Sequence, residues 1–209
     1  MSIGQKAKIA IASFKWLIAI SCVSLLLVSL DLAKTAEMDF AAHGYGVLFL
    51  SCTVIVGIAY LLAGGFFMLW FYAAYNTLYL ESPGNLRHPP IWTVLGFSLP
   101  IANLYLPYVL VVIVWRRLTR KLAVQDDAAQ RQAPGYFNIW WLSHLIVLFA
   151  IPAGYAFALF NMDDDAMVLM QLSLSLLACA LICNLARLAI RLVTEIENLF
   201  EAVYCARTY

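Results

Sequence analysis

The residues best suited to chemistry lie in an apolar stretch that two prolines interrupt. Asn103 stands between Pro100 and Pro107. A proline lacks a backbone N–H and crowds the preceding turn, so a straight helix through both is not expected. In a membrane, irregular backbone is tolerated only when it is buried in protein or faces a wet cavity. Broken helices line the substrate and ion sites of many transporters, and Ser98 and Tyr105 are near enough in sequence to line such a cavity.

A purely structural role for Asn103 is the simpler alternative. Asparagine beside a helix break commonly bonds the local backbone with its own amide. On this interpretation Asn103 caps the broken backbone and binds nothing else. The sequence leaves both roles open and favours the structural one.

Three polar residues fall inside other predicted spans. Ionisable groups within membranes are functional candidates by default. No further histidine or carboxylate stands in a predicted span to relay a proton from His144, so we interpret His144 as a neutral imidazole bonded to a neighbouring helix. Asn184 and Arg187 begin a polar stripe that continues with Arg191 and Glu195. A solvated helix end is the expected role of this stripe, and a vestibule for an anion is the alternative.

The five cysteines do not form a recognisable ligand motif. No Cys-x-x-Cys pair occurs, although Cys179 and Cys183 share one helix face at i,i+4 spacing. Cysteines within apolar helices usually act as small packing residues. We therefore predict no metal site and no cofactor.

The composition indicates that lipid is the solvent for most of the chain. Of the 209 residues, 64% are hydrophobic and only 12% are charged. The charges collect in short segments between long uncharged runs. Ordinary globular chains are about one quarter charged, so these runs could not be covered in water. The fold class expected is an all-α integral membrane protein.

Four apolar stretches reach the length of about 20 residues that a spanning helix needs. They predict spanning helices over 9–30, 45–70, 137–160 and 166–190. The stretch 91–115 contains both prolines and is expected to be a broken segment, either re-entrant or interfacial. Five full spans are the alternative.

The distribution of Lys and Arg favours the re-entrant arrangement. If 91–115 does not cross and the amino terminus is cytoplasmic, twelve basic residues lie inside and only Lys34 lies outside. A full crossing would split the thirteen as nine against four. Basic residues prefer the cytoplasmic side of short loops. We therefore expect both termini and a basic loop over 116–135 to be cytoplasmic, in the inner (plasma) membrane of the cell.

The last segment, 192–205, has the pattern of an amphipathic helix. Leu192, Ile196, Leu199 and Val203 form an apolar stripe at helical spacing, and glutamates occupy much of the remaining surface. Its acidic face would be repelled by anionic lipid. A protein surface is the expected partner, either within the chain or on another one.

A set of spaced tryptophans and prolines resembles a known family. Trp70 is followed by Trp92, which stands eight residues before the sequence Pro-Ile-Ala-Asn-Leu at 100–104. Pro107 then precedes Trp115 by eight residues. This pattern over 66–117 is similar to the bacterial membrane-protein family catalogued as domain of unknown function 4328. The resemblance implies a membrane protein and lends no activity.

The chain departs from that family pattern at three positions. Family members resemble one another in an Arg three residues after the first Trp, an Asn seven after it, and an acidic residue two before the last Trp. This chain has Ala73, Thr77 and Ile113 at these positions. If those side chains serve a family activity, this member lacks part of it.

The leading functional hypothesis is a non-enzymatic structural or interaction component of a membrane assembly. No nucleotide-binding, metalloprotease or hydrolase motif is found, and the arginines follow membrane boundaries rather than a nucleic-acid surface. The expected partners are the bilayer and either a membrane protein or a second copy, contacted through the second span and the carboxy-terminal helix. The alternative is a small transporter or channel with its site around Asn103.

Overall fold

The secondary structure of the described residues is entirely helical. The computed structural model describes residues 2–35, 44–81, 86, 88–126, 132–161 and 164–205. The helices are α1 (Ile3–Thr35), α2 (Gly44–Glu81), α3 (Trp92–Ser98), α4 (Pro100–Asn103), α5 (Leu106–Asp126), α6 (Tyr136–Leu145), α7 (Ile151–Asn161) and α8 (Asp164–Cys205). A π-helical turn, Ile146–Ala150, joins α6 to α7.

Four helical stretches within the described residues are long and apolar enough to cross a membrane. They cover Ile3–Leu30, Leu48–Glu81, Tyr136–Phe157 and Met170–Tyr204. The predicted all-α class with four spanning helices is confirmed. At 1.5 Å per residue, α2 is about 57 Å long and α8 about 63 Å. Both exceed the hydrocarbon thickness of about 30 Å, so each must extend beyond it.

One boundary differs from that expected from the sequence. The segment 116–135 is not a loop throughout, because α5 continues as a helix to Asp126; residues 127–131 lie outside the described part of the chain. The amphipathic segment 192–205 continues the last spanning helix as the end of α8. Basic residues that follow an apolar run are compatible with continued helix, since Arg and Lys are good helix formers.

Proline chemistry explains the helix breaks. Leu99 is extended (φ −90°, ψ 123°), which is the conformation that a residue before a proline favours. Pro100 then starts α4 and Pro107 is the second residue of α5, positions where a missing N–H loses no helical bond. Pro152 cannot donate to the carbonyl four residues earlier, and the π turn immediately precedes it.

The first of two compact units consists of Met1–Ala12, Gly64–Trp141 and Leu188–Tyr209. Its core is rich in aromatic side chains. The ring of Phe67 lies 5.5 to 5.9 Å from those of Trp70, Phe71, Phe97 and Trp140. Such pairs add about 0.5–1.5 kcal/mol each beyond the area that they bury. The broken segment α3–α5 lies entirely within this unit.

The apolar stripe at the end of α8 is buried within that same unit. Leu192, Ile196 and Val203 are fully buried, and Leu199 is nearly so. The stripe therefore packs against its own chain. It is not a free surface for another protein, which answers the question that the sequence left open.

The second compact unit consists of Ser13–Ala63 and Leu142–Arg187. Its helices pack closely at Gly154, where an added Cβ would lie 3.1 Å from the side chain of Leu174. Large apolar side chains cover much of its outer surface, and Leu50, Ile58 and Leu61 are each more than half exposed. Lipid tails are the natural covering for such a surface.

Candidate functional site

The backbone is interrupted twice around Asn103. α3 ends at Ser98, α4 makes a single turn from Pro100 to Asn103, and α5 begins at Leu106. The peptide N–H groups of Leu104 and Tyr105 bond the carbonyls three residues earlier, at 3.3 and 3.2 Å. The chain therefore turns tightly here, and α3 packs against α5. With only seven residues, α3 is about 10 Å long and cannot cross a bilayer.

The side chain of Asn103 is buried, and its carbonyl oxygen lacks a hydrogen-bond partner among the described residues. Asn103 is 7% exposed, whereas the neighbouring Ile101 is 85% exposed. Among the described residues, none donates a hydrogen bond to the Oδ1 atom. The expected structural role, in which the Asn103 amide caps the break, is therefore not provided by its oxygen. An unpaired buried acceptor is destabilising by about 1–3 kcal/mol.

One backbone carbonyl at the break accepts a hydrogen bond from a side chain of another helix. The indole N–H of Trp141 donates to the carbonyl of Leu104 at 3.3 Å, from α6 to the turn before α5. Close packing supports the same turn, because a Cβ at Gly96 would lie 3.3 Å from Leu106. No local sequence pattern predicts that Trp141 takes part.

The other residues predicted to line a cavity at the break do not converge on Asn103. The hydroxyl of Ser98 bonds back to the carbonyl of Val94 at 3.0 Å. Pro100 and Tyr105 are exposed, and Pro107 is buried. Of the predicted set, Asn103 is therefore the residue with a buried polar atom, Oδ1, that lacks a hydrogen-bond partner among the described residues.

His144 pairs with a residue that sequence reasoning missed. Its Nδ1 lies 2.8 Å from the hydroxyl of Tyr60, and the two rings are nearly parallel. The bond joins α2 to the end of α6 within the second unit, immediately before the π turn. The predicted hydrogen bond from His144 to a neighbouring helix is present.

Asn184 and Arg187 have different surroundings. The amide nitrogen of Asn184 donates to the hydroxyl of Ser143 at 3.3 Å, which again links α8 to α6 in the second unit. Arg187 is exposed.

Farther along α8, Arg191 and Glu195 form the i,i+4 ion pair that the sequence allows, at 2.7 Å. Tyr136 adds to this pair. Its hydroxyl donates to the other oxygen of Glu195 at 2.8 Å, and the guanidinium of Arg191 lies 4.4 Å from its ring centroid. The polar stripe on α8 is thus tied to α6 in the first unit.

Three cysteines meet in the second unit. Cys22 of α1 joins Cys179 and Cys183 of α8, and their Sγ atoms all lie within 4.8 Å of one another. The i,i+4 spacing of the two α8 cysteines is visible in the sequence. The approach of Cys22 is a property of helix packing that no local pattern reports.

The helices and the broken segment define a class of protein. Four spanning-length helices, together with the proline-broken segment α3–α5, describe a multi-pass membrane protein. The comparison with protein families agrees. Residues 33–198 match the family described as domain of unknown function (DUF4328), and the chain belongs to that family. The match extends well beyond the tryptophan and proline pattern of 66–117. No curated protein and no solved structure matches the chain significantly.

Proposed function

We propose that the protein is a non-enzymatic membrane carrier or conductance component with its binding site at the break around Asn103. The observation that carries the proposal is the buried carbonyl oxygen of Asn103, which accepts no hydrogen bond from the described residues. A polar atom of this kind is retained against a stability penalty. Binding of a ligand is one reason for such an atom to persist.

The chemistry of that oxygen limits the ligand. The amide oxygen of asparagine is an acceptor with two lone pairs. It therefore suits a cation or a small solute that presents an N–H or O–H group. The turn at Leu104 and Tyr105 adds backbone carbonyls, which coordinate ions where helices unwind in transporters.

Labelling of an introduced cysteine tests whether water reaches the break. After all native cysteines are replaced by serine, Asn103→Cys is treated in inverted membrane vesicles with a membrane-impermeant thiol reagent. We expect labelling from the cytoplasmic side. Leu110→Cys, at a fully buried position of α5, serves as the protected control. Equal protection of both cysteines would refute the proposal.

A second candidate function is association with another copy of the chain through α2. Leu50, Val54, Gly57 and Leu61 alternate at spacings of four and three residues and lie on the exposed surface of the second unit. A Cβ at Gly57 would contact nothing within 4 Å. A small residue within such a stripe lets a second helix approach closely. Of the two predicted interfaces, this candidate uses the second span. It does not use the end of α8, because the apolar stripe of that helix is buried.

Counting subunits in membranes tests this second candidate. Photobleaching of single fluorescently tagged molecules should give two steps for the wild type and one for Gly57→Trp. Ile55→Trp is the matched control, because Ile55 is equally accessible but lies on another side of α2. Two-step bleaching that persists in Gly57→Trp would eliminate this interface.

We further propose a bacterial inner-membrane location with both termini in the cytoplasm. The proposal rests on the excess of Lys and Arg that this orientation keeps inside. Reporter fusions after Arg120 and after Asp164 test it. The first should be active only as a cytoplasmic reporter and the second only as a periplasmic one. The same behaviour at both positions would contradict the orientation.

A further inference from the structure

The three-cysteine cluster is independent of the site around Asn103. Cys22 comes from the middle of α1, and Cys179 and Cys183 stand one turn apart on α8. All three belong to the second compact unit, whereas Asn103 belongs to the first. Cys22 is exposed, and the other two are half-buried.

The sulfur separations fit a shared ion better than a disulfide. The Sγ atoms of Cys22 and Cys183 are 3.9 Å apart, whereas bonded sulfurs are separated by about 2.05 Å. Three sulfurs placed around one ion in a plane, each at a metal–sulfur distance of about 2.3 Å, would be about 4 Å apart. The cluster needs little movement to adopt that geometry.

The three cysteine sulfurs determine which kind of ion the cluster favours. Thiolates are soft ligands, which favour Cu(I), zinc and iron–sulfur clusters over hard cations. Structural zinc sites almost always have four protein ligands. Among the described residues this cluster supplies three, which suits a soft monovalent d¹⁰ cation.

The neighbouring Ser21 is arranged around the same cluster. The thiol of Cys179 points to the carbonyl oxygen of Ser21 at 3.6 Å. The hydroxyl of Ser21 is buried, and the described part of the chain offers it no hydrogen-bond partner. Its donor is available to a thiolate sulfur, which is a better acceptor than a neutral thiol.

We propose that Cys22, Cys179 and Cys183 form a binding site for a soft monovalent cation, and that Cu(I) is the natural cation. Each thiol that binds as a thiolate releases one proton to water. The metal keeps its oxidation state, so no electron donor or acceptor is needed. Acid opposes binding because it returns those protons.

Titration of the full-length protein in detergent with Cu(I) tests the site. A chromogenic Cu(I) chelator reports competition, and Ag(I) serves as a redox-inert probe for X-ray absorption. We expect one Cu(I) per chain and three sulfur neighbours around Ag(I). Cys22→Ser should weaken Cu(I) binding at least about tenfold. Loss of a group that only holds a metal ligand in place already weakens metal affinity by about tenfold or more, and Cys22 is itself a ligand.

Cys52→Ser is the matched control, because Cys52 lies in the same unit but outside the cluster. It should bind Cu(I) like the wild type. Equal Cu(I) affinity in the wild type and in the Cys22→Ser/Cys179→Ser/Cys183→Ser variant would overturn the proposal. So would a disulfide between Cys22 and Cys183 in protein isolated from native membranes. The Ag(I) measurement uses the wild type alone and does not depend on the folding of any variant.

Discussion

The indole N–H of Trp70 donates a hydrogen bond of 2.6 Å to a carboxylate oxygen of Glu197. Trp70 is fully buried and lies within the residues that match the family. Glu197 lies on the end of α8, and the start of α1 approaches it at Gly4, where a Cβ would lie 3.7 Å from its other oxygen. This single bond therefore connects α2 to α8 inside the first unit. Because the indole is buried, loss of this hydrogen bond should lower the stability of the fold.

Removal of the indole donor should destabilise the first unit. Trp70→Phe deletes the N–H and leaves Glu197 without its bond, and it also leaves a gap in the aromatic core. We expect a loss of about 2–4 kcal/mol, which combines a hydrogen bond to a charged group with lost buried volume. Thermal unfolding in detergent measures it as a lower Tm.

Two variants separate the bond from the packing. Trp16→Phe alters a tryptophan that is 69% exposed and should leave the Tm nearly unchanged. Glu197→Gln keeps an acceptor for the indole, and Glu197→Leu does not. If Glu197→Gln is as damaging as Glu197→Leu, the carboxylate contributes through something other than this hydrogen bond.

Replacement of Asn103 by leucine should stabilise the protein while it abolishes ligand binding. The substitution removes a buried oxygen that lacks a hydrogen bond, so the folded state should gain about 1–3 kcal/mol. A functional polar group often reduces stability in this way. A higher Tm that the transported solute no longer raises further is the expected result. A clearly lower Tm would mean that the Asn103 amide stabilises the fold.

Enlargement of Gly96 should loosen the hairpin of α3 and α5. A new Cβ would lie 3.3 Å from Leu106, so Gly96→Val must displace that side chain. We expect a loss of about 1–3 kcal/mol from overpacking. Gly65→Ala is the contrasting variant, because its Cβ meets open space and the helix gains about 0.5–1 kcal/mol. Unfolding curves that move in the same direction for both variants would contradict this assignment.

The ion pair between Lys121 and Glu81 should contribute little to stability. The ammonium of Lys121 donates to Glu81 and, at 3.2 Å, to the hydroxyl of Tyr204. Both charged side chains are about one quarter exposed. A double-mutant cycle with Lys121→Met and Glu81→Gln should give a coupling energy below about 1 kcal/mol that declines with added salt. Arg120→Met is the control variant, because it removes the charge of an exposed side chain on the same helix. A larger coupling that salt leaves unchanged would show that the pair is shielded from solvent.

Several features could be predicted because their causes are local. The lengths of the uncharged runs predict four spanning helices, since a run of that length has no other stable environment than lipid. Pro100 and Pro107 predict the break, because each removes a donor from its own helix. The sequence predicts a loop for Arg116, Arg117, Arg120 and Lys121, and they lie on α5 instead. Charge marks an exit from the apolar region and does not by itself end a helix.

The sequence alone determined the membrane class, the spanning helices, the family and the position of the break. The tertiary structure decided which side chains meet. Trp70 and Glu197 are paired across 127 residues, Tyr60 and His144 across 84, and Cys22 and Cys183 across 161. It also decided that the apolar stripe of α8 is buried and that the oxygen of Asn103 accepts no hydrogen bond from the described residues. Periodicity specifies which face of a helix is apolar. The neighbour of that face depends on how helices distant in sequence pack, and a local pattern contains no record of it.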